Sequence, residues 1–160
     1  QQWGLSSADI SKLFGSLAIS GVFANVISGN LIKKMGIGRF TMLTTASTMI
    51  MWSGYASGSI KLAILCSLLG ILGPARILGA ATGITTEGAR LGMPQGQLSG
   101  DRSNLNAWLK VLGPLVYGTL YTRGTAAGLP TAPFGLNVLL AASALLMSPA
   151  AFESEEEQRA

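Results

Sequence analysis

The chain has no histidine in 160 residues, one cysteine and seven acidic side chains. Without histidine it lacks the commonest general base near neutral pH and the commonest metal or haem ligand. Its one cysteine, Cys66, excludes an internal disulfide framework and sits in an apolar run, where it reads as a small buried hydrophobe. No nucleophile–base pair stands out, so the expectation is that the chain is not an enzyme, with no catalytic and no metal-binding residue. Charge of either sign is scarce, at 11% of residues against about 25% in soluble domains. The net charge of +4 comes from basic residues scattered near helix ends, with no basic stripe and no interleaved aromatic platform, so no nucleic-acid partner is expected.

What the chain has in place of charge is hydrophobicity, with 49% apolar residues and a mean hydropathy of +0.47. No charge occurs from Leu13 to Ile32, from Phe40 to Ile60, or from Gly124 to Phe152. Each run is long enough to cross about 30 Å of hydrocarbon as a helix, which takes roughly 20 residues. The expected fold is all-α, a polytopic membrane helical bundle forming a single membrane domain over residues 1–160. Five spans can be drawn, at about 12–32, 40–57, 62–85, 103–122 and 133–152, with an acidic tail at 153–160. The chain begins Gln1-Gln2-Trp3, without a Met or a basic leader, and reads as a mature or truncated product or as part of something longer.

Lys33, Lys34, Arg39, Arg90 and Arg102 fall in loops at 33–39 and 86–102, and Arg159 in the tail, against Lys12, Lys61 and Arg123 on the other side. That bias places both basic loops and the C-terminus on the cytoplasmic, matrix or stromal side. Trp3, Trp52, Tyr55, Tyr117 and Tyr121 fall near the opposite face, as an interfacial belt would. Small residues recur at Gly15, Ser16, Ser20, Gly21, Ala24, Ser28 and Gly29, and again at Gly70, Gly73, Gly79, Ala80 and Gly83. Such spacing lets membrane helices approach closely, so a packed bundle is expected.

The most informative stretch is MPQGQLSGDRSNLNAWLKVLGPLVYGTLY, from Met93 to Tyr121. A Gly/Gln-rich turn runs into a helix with Gly113-Pro114 halfway along. An interior proline costs roughly 3 kcal/mol in a water-exposed helix but is tolerated among membrane helices. The matching positions Gln95, Gly96 and Gly100, then Gly113 and Pro114, resemble the segment joining helices ten and eleven of the major facilitator superfamily. The branch it is most similar to is the tetracycline-efflux type of drug/proton antiporter. Gly73-Pro74-Ala75 sits where that family has a Pro-Ala pair in helix ten. Gly29, Leu31, Lys33, Lys34 and Gly36, with Arg39 after them, look like the second copy of its cytoplasmic gating motif. The order fits helices eight to twelve, an incomplete half of that fold. The resemblance implies a solute/proton antiporter whose other helices lie elsewhere. The chain departs from the family at Lys33, where an acidic residue is usual.

Arg76 and Lys110 lie within the third and fourth spans, where a cation costs roughly 2.5–3.5 kcal/mol at a helix centre. With Asn25, whose spacing from Gly21, Ser28 and Gly29 points it into the bundle, they are the candidates for binding a substrate or partner. Asn104, Asn106 and Asn137 read as hydrogen bonders between helices. The alternative function is a transporter-derived, non-transporting subunit of a large photosynthetic or respiratory complex. No cofactor is expected of a transporter, while a complex subunit would bring lipid or pigment against its helices. In either case the partners are the lipid bilayer and other membrane helices.

Overall fold

A computed structural model describes the backbone of residues 7–157, together with the side chains of residues 21–147 and of Ser11, Gly15 and Ala18. Trp3, the side chains of Lys12, Ser16 and Ser20, and those of the acidic tail lie outside the described residues. The described chain is all-α, with no strand. Its helices are α1 (Ser7–Met35), α2 (Ile37–Ala56), α3 (Ile60–Leu69), α4 (Arg76–Arg90), α5 (Gln95–Ala126) and α6 (Ala132–Glu157), with a 3-10 turn at Gly73–Ala75 between α3 and α4.

Two expected loops turn out to be helical. The basic loop at 33–39 shrinks to Gly36, whose φ of 82° reverses the chain in one residue. Its N–H donates to the Ile32 carbonyl (2.9 Å), while its own carbonyl accepts from Phe40 N–H (3.2 Å). Lys33 and Lys34 therefore end α1, where the exposed carbonyls favour cations, and Arg39 stands in the first turn of α2. The polar stretch 86–102 is likewise the end of α4 and the start of α5, joined through Gly92 at φ 71°. Polarity there marks exposure to solvent, which a helix surface satisfies as well as a coil does. Conversely, the third span is broken at Gly73–Ala75 and does not run straight from 62 to 85.

α2 is the central helix, packed against α6 and α3, and also against α4, α1 and the 3-10 turn. Its buried face is rich in hydroxyls, with Thr44, Thr45, Ser47 and Thr48 alongside Phe40 and Tyr55. The three threonine hydroxyls bond within the helix. Thr44 Oγ1 donates to Phe40 O (3.0 Å), Thr45 Oγ1 to Thr41 O (2.7 Å) and Thr48 Oγ1 to Thr44 O (2.8 Å). Ser28 and Ser67 do the same to Ala24 O and Ala63 O. Among the described residues no buried side-chain nitrogen or oxygen lacks a partner.

The outer surface is the reverse. Val26, Leu68, Leu69, Ile77, Trp108, Leu115, Leu139 and Leu146 are all at least 62% exposed. A hydroxyl-lined interior beneath a leucine-rich exterior inverts the usual burial order and marks an interaction surface. Even so, no single helix among the described residues is long and apolar enough to cross a membrane. The charge-free run in α2 is diluted by Ser, Thr and Gly, while the apolar stretch of α6 among the described residues runs over Ala132–Met147. α3 with the segment Gly73–Arg90, bent by 54°, meets the length and composition together.

The small residues do serve close packing. A Cβ added at Gly54 would lie 2.5 Å from Cys66 Cβ, and one at Gly70 would lie 2.5 Å from the Ser47 carbonyl oxygen, so α2 and α3 touch backbone to backbone. On α1 the buried stripe is Gly21, Ala24 and Ser28, continued by half-buried Leu31, Ile32 and Met35. Asn25 and Gly29 are exposed. The expectation that Asn25 points into the bundle is thus corrected: Ala24, one position away and about 100° round the helix, takes the inner face.

Candidate functional site

The feature with chemical potential is the break in the bent helix. Pro74 has no N–H and its ring clashes with a helical carbonyl four residues back, so a regular helix cannot pass through it. α3 accordingly stops at Leu69, Gly73 N–H turns back to Gly70 O (2.8 Å) and Ala75 N–H to Leu72 O (3.0 Å). The Gly73 carbonyl also meets Thr48 Oγ1 of α2 at 3.1 Å, and Thr48 shares its one proton between that carbonyl and its own helix. α1 covers the same place: Ala24, Phe40 and Ala75 form a buried cluster with Leu72 packed against it, and Gly21 faces the Pro74 ring. Below the break, a Cβ on Gly79 would meet the Phe40 ring at 3.0 Å, which keeps α4 against α2.

Arg76 is the first residue of α4, directly after the break, and is half-buried. Lys110 lies on α5 and is exposed. Among the described residues neither forms an ion pair. Asn25, Arg76 and Lys110 stand on three different helices, and no hydrogen bond joins them; the structure does not gather them into one site. Pro114 lies inside α5, which continues across it, and denies the Lys110 carbonyl its usual donor four residues on.

The turn-and-helix signature does have a structural role. Gln95 opens α5, and its side-chain N–H lies 3.4 Å from the Thr85 carbonyl of α4. Leu98 packs tightly over Gly88. Gly96, Gly100 and Gly113 meet nothing that a Cβ would disturb. At the same end, Arg90 pairs with Glu87 one turn before it. The hydrogen bond from Arg90 holds the Glu87 carboxyl below its ordinary value and raises the guanidinium.

A ring cluster and the groove beside it carried no clear signal in the sequence, whereas the reading of Asn137 as a hydrogen bonder between helices is met by Tyr117. Trp52, Tyr55 and Phe134 form a ring cluster, Trp52 stacking on Phe134 at 5.9 Å, where α2 ends and α6 begins. Beside it runs an apolar groove of about 570 Å³ lined by Ala56, Leu120, Leu136 and Leu139 among others. Tyr117 donates its hydroxyl to Asn137 Oδ1, tying α5 to α6. The Thr41, Thr44, Thr45, Thr48 spacing was the readable hint for the hydroxyl face of α2. Among the described residues no group of three His, Cys, Asp or Glu could hold a metal ion.

No family model, no curated protein and no solved structure matches this chain.

Proposed function

We propose that the chain is the C-terminal helical part of a membrane transporter resembling the major facilitator superfamily, acting as a solute/proton antiporter with helices supplied from outside it. The observation that carries this reading is the broken helix pair α3–α4, bent by 54° and packed through glycines onto hydroxyl-lined α2. Discontinuous helices packed on small residues are how secondary transporters expose backbone and cations at membrane depth. Placement in a membrane is supported by the inverted burial: hydroxyls inside, large apolar side chains outside. Arg76 at the break and Lys110 on α5 are the side chains proposed to meet an anionic group of a solute or partner.

The test is reconstitution of the complete reading frame in proteoliposomes with an internal pH dye. Solute-dependent proton movement is expected, lost on Arg76→Met. A second reading, a non-transporting subunit of a larger membrane complex, is favoured by bare α5, exposed along nearly all of Gln95–Leu112 with Lys110 among its apolar residues. Under it the protein would leave solubilised membranes only in a large assembly and move no protons. That result would sink the transport reading.

A further inference from the structure

A cleft of about 200 Å³ lies between the end of α4 and the start of α5, lined by Ile84, Thr85, Gln95, Leu98, Ser99 and Arg102. No carboxylate lines it. The Thr85 hydroxyl is spent on Ala81 O (2.8 Å). The donors left for a ligand are the Arg102 guanidinium, which forms no ion pair among the described residues, the Ser99 hydroxyl and the second amide hydrogen of Gln95. Of the nearby acids, Glu87 is held by Arg90, and Asp101 sits about 100° round α5 from Arg102.

The cleft also lies at the basic end of the bundle. Gly83 of α4 packs on Ile37 and Gly79 on Phe40, so the α4–α5 turn shares an end with Lys33, Lys34 and Arg39. It opens beside the outward apolar face: Ile84 forms its wall, and Leu105 and Trp108 follow within two turns of Arg102, all exposed. A basic cleft between helices at a membrane boundary suits an anionic headgroup, and an apolar wall suits the chain attached to it.

We propose that this cleft binds the phosphate headgroup of an anionic phospholipid. Arg102 is its charge partner, Ser99 and Gln95 are donors, and Ile84 and Leu98 support the start of the acyl chain. This rests on the membrane placement proposed above, not on transport.

The test uses the full chain purified in detergent, with melting temperature followed against phosphatidylglycerol, phosphatidylcholine and inorganic phosphate. Phosphatidylglycerol is expected to raise the melting temperature at concentrations where phosphatidylcholine does not. Arg102→Gln should weaken that response about fivefold, the loss of one basic contact at the membrane surface. Gln95→Ala should weaken it less, while Arg123→Gln at the opposite end should leave it unchanged. An equal response to both lipids, or an unaltered response in Arg102→Gln, overturns the site. The same shift from inorganic phosphate alone makes the ligand a free anion and overturns the lipid. Detergent phase partitioning separates the two readings: a protein that stays in the aqueous phase removes the membrane placement. One that enters the detergent phase but shows no phosphatidylglycerol preference removes only this site.

Discussion

Gly70 and Thr48 mark the two ways in which single residues hold the broken helix against α2, and the two should differ in size. A Cβ on Gly70 would enter the Ser47 carbonyl and crowd Met51 Cβ at 2.9 Å, with backbone on one side and nothing flexible to yield. Gly70→Ala should therefore destabilise the bundle by about 1–3 kcal/mol, the usual cost of overpacking, read as a lower denaturation midpoint in detergent. Thr48→Val removes one hydroxyl, with its shared contacts to the Gly73 and Thr44 carbonyls, and keeps the volume. It should cost about 0.6 kcal/mol, as interhelical hydrogen bonds in membrane bundles do. Equal effects would mean that the hydrogen bond, and not the backbone approach, holds the break. The Glu87–Arg90 pair is a weaker case because both side chains are exposed. Glu87 has a lowered folded value, so whatever stability the pair adds is present above the ordinary carboxylate range and lost as pH falls through the folded value. Glu87→Gln should flatten that acid limb of the stability profile and leave the neutral plateau nearly unchanged, because an exposed pair adds little.

At the scale of elements, the sequence was readable where composition and structure share a cause. Glycine and proline mark Gly36, Gly92 and the Pro74 break because each acts on the backbone directly. The turn after α2 and the start of α6 follow the same logic. The segments 33–39 and 86–102 read as loops because polar side chains report exposure, and an exposed helix end is as polar as a loop. On α1 the sequence alone does not choose the inner face, since 21, 25, 28 and 29 form one stripe and 21, 24 and 28 form another. Only the elements packed on α1 decide between them, and one of these, the 3-10 turn, interrupts what reads as a straight span. The break itself yields the element-level prediction. Pro74→Ala restores the N–H and removes the ring that forbids a continuous helix. The bend of 54° should then relax, bringing spin labels at Leu65 and Ala80 farther apart by several ångströms in double electron–electron resonance. Stability should hold or rise while any transport falls, because the substitution favours the regular helix over the shape in which the site is built. An unchanged distance would assign the bend to packing on α2 in place of proline.

At the scale of the whole molecule, the exterior and α5 raise one question: does this surface face lipid? α5 has 32 residues and is about 48 Å long at 1.5 Å per residue, more than the roughly 30 Å of a bilayer core. Its composition does not pass as a span by itself, carrying Asp101, Arg102 and Lys110. If it crosses, its flanking turns must lie on opposite sides, with Leu91 at the basic end and Ala127 at the other. Both residues are exposed in turns, and neither has the positive φ that would make substitution strained. Cys66 is the only thiol in the chain, so Cys66→Ser leaves a background in which one cysteine at a time can be placed. Small-volume replacement of that half-buried side chain should cost little, and its melting temperature can be checked first. An impermeant maleimide added to intact cells should label Ala127→Cys at once and Leu91→Cys only after permeabilisation. Labelling of both in intact cells would put the two turns on one side and turn α5 into a surface helix. Labelling of neither before permeabilisation, with the protein released by alkaline carbonate, would remove the bilayer altogether. The leucine-rich exterior would then have to be covered by protein. The ordered outcome, one turn outside and one inside, is the one the proposed membrane placement expects, since a surface this apolar is stable only where water does not reach it.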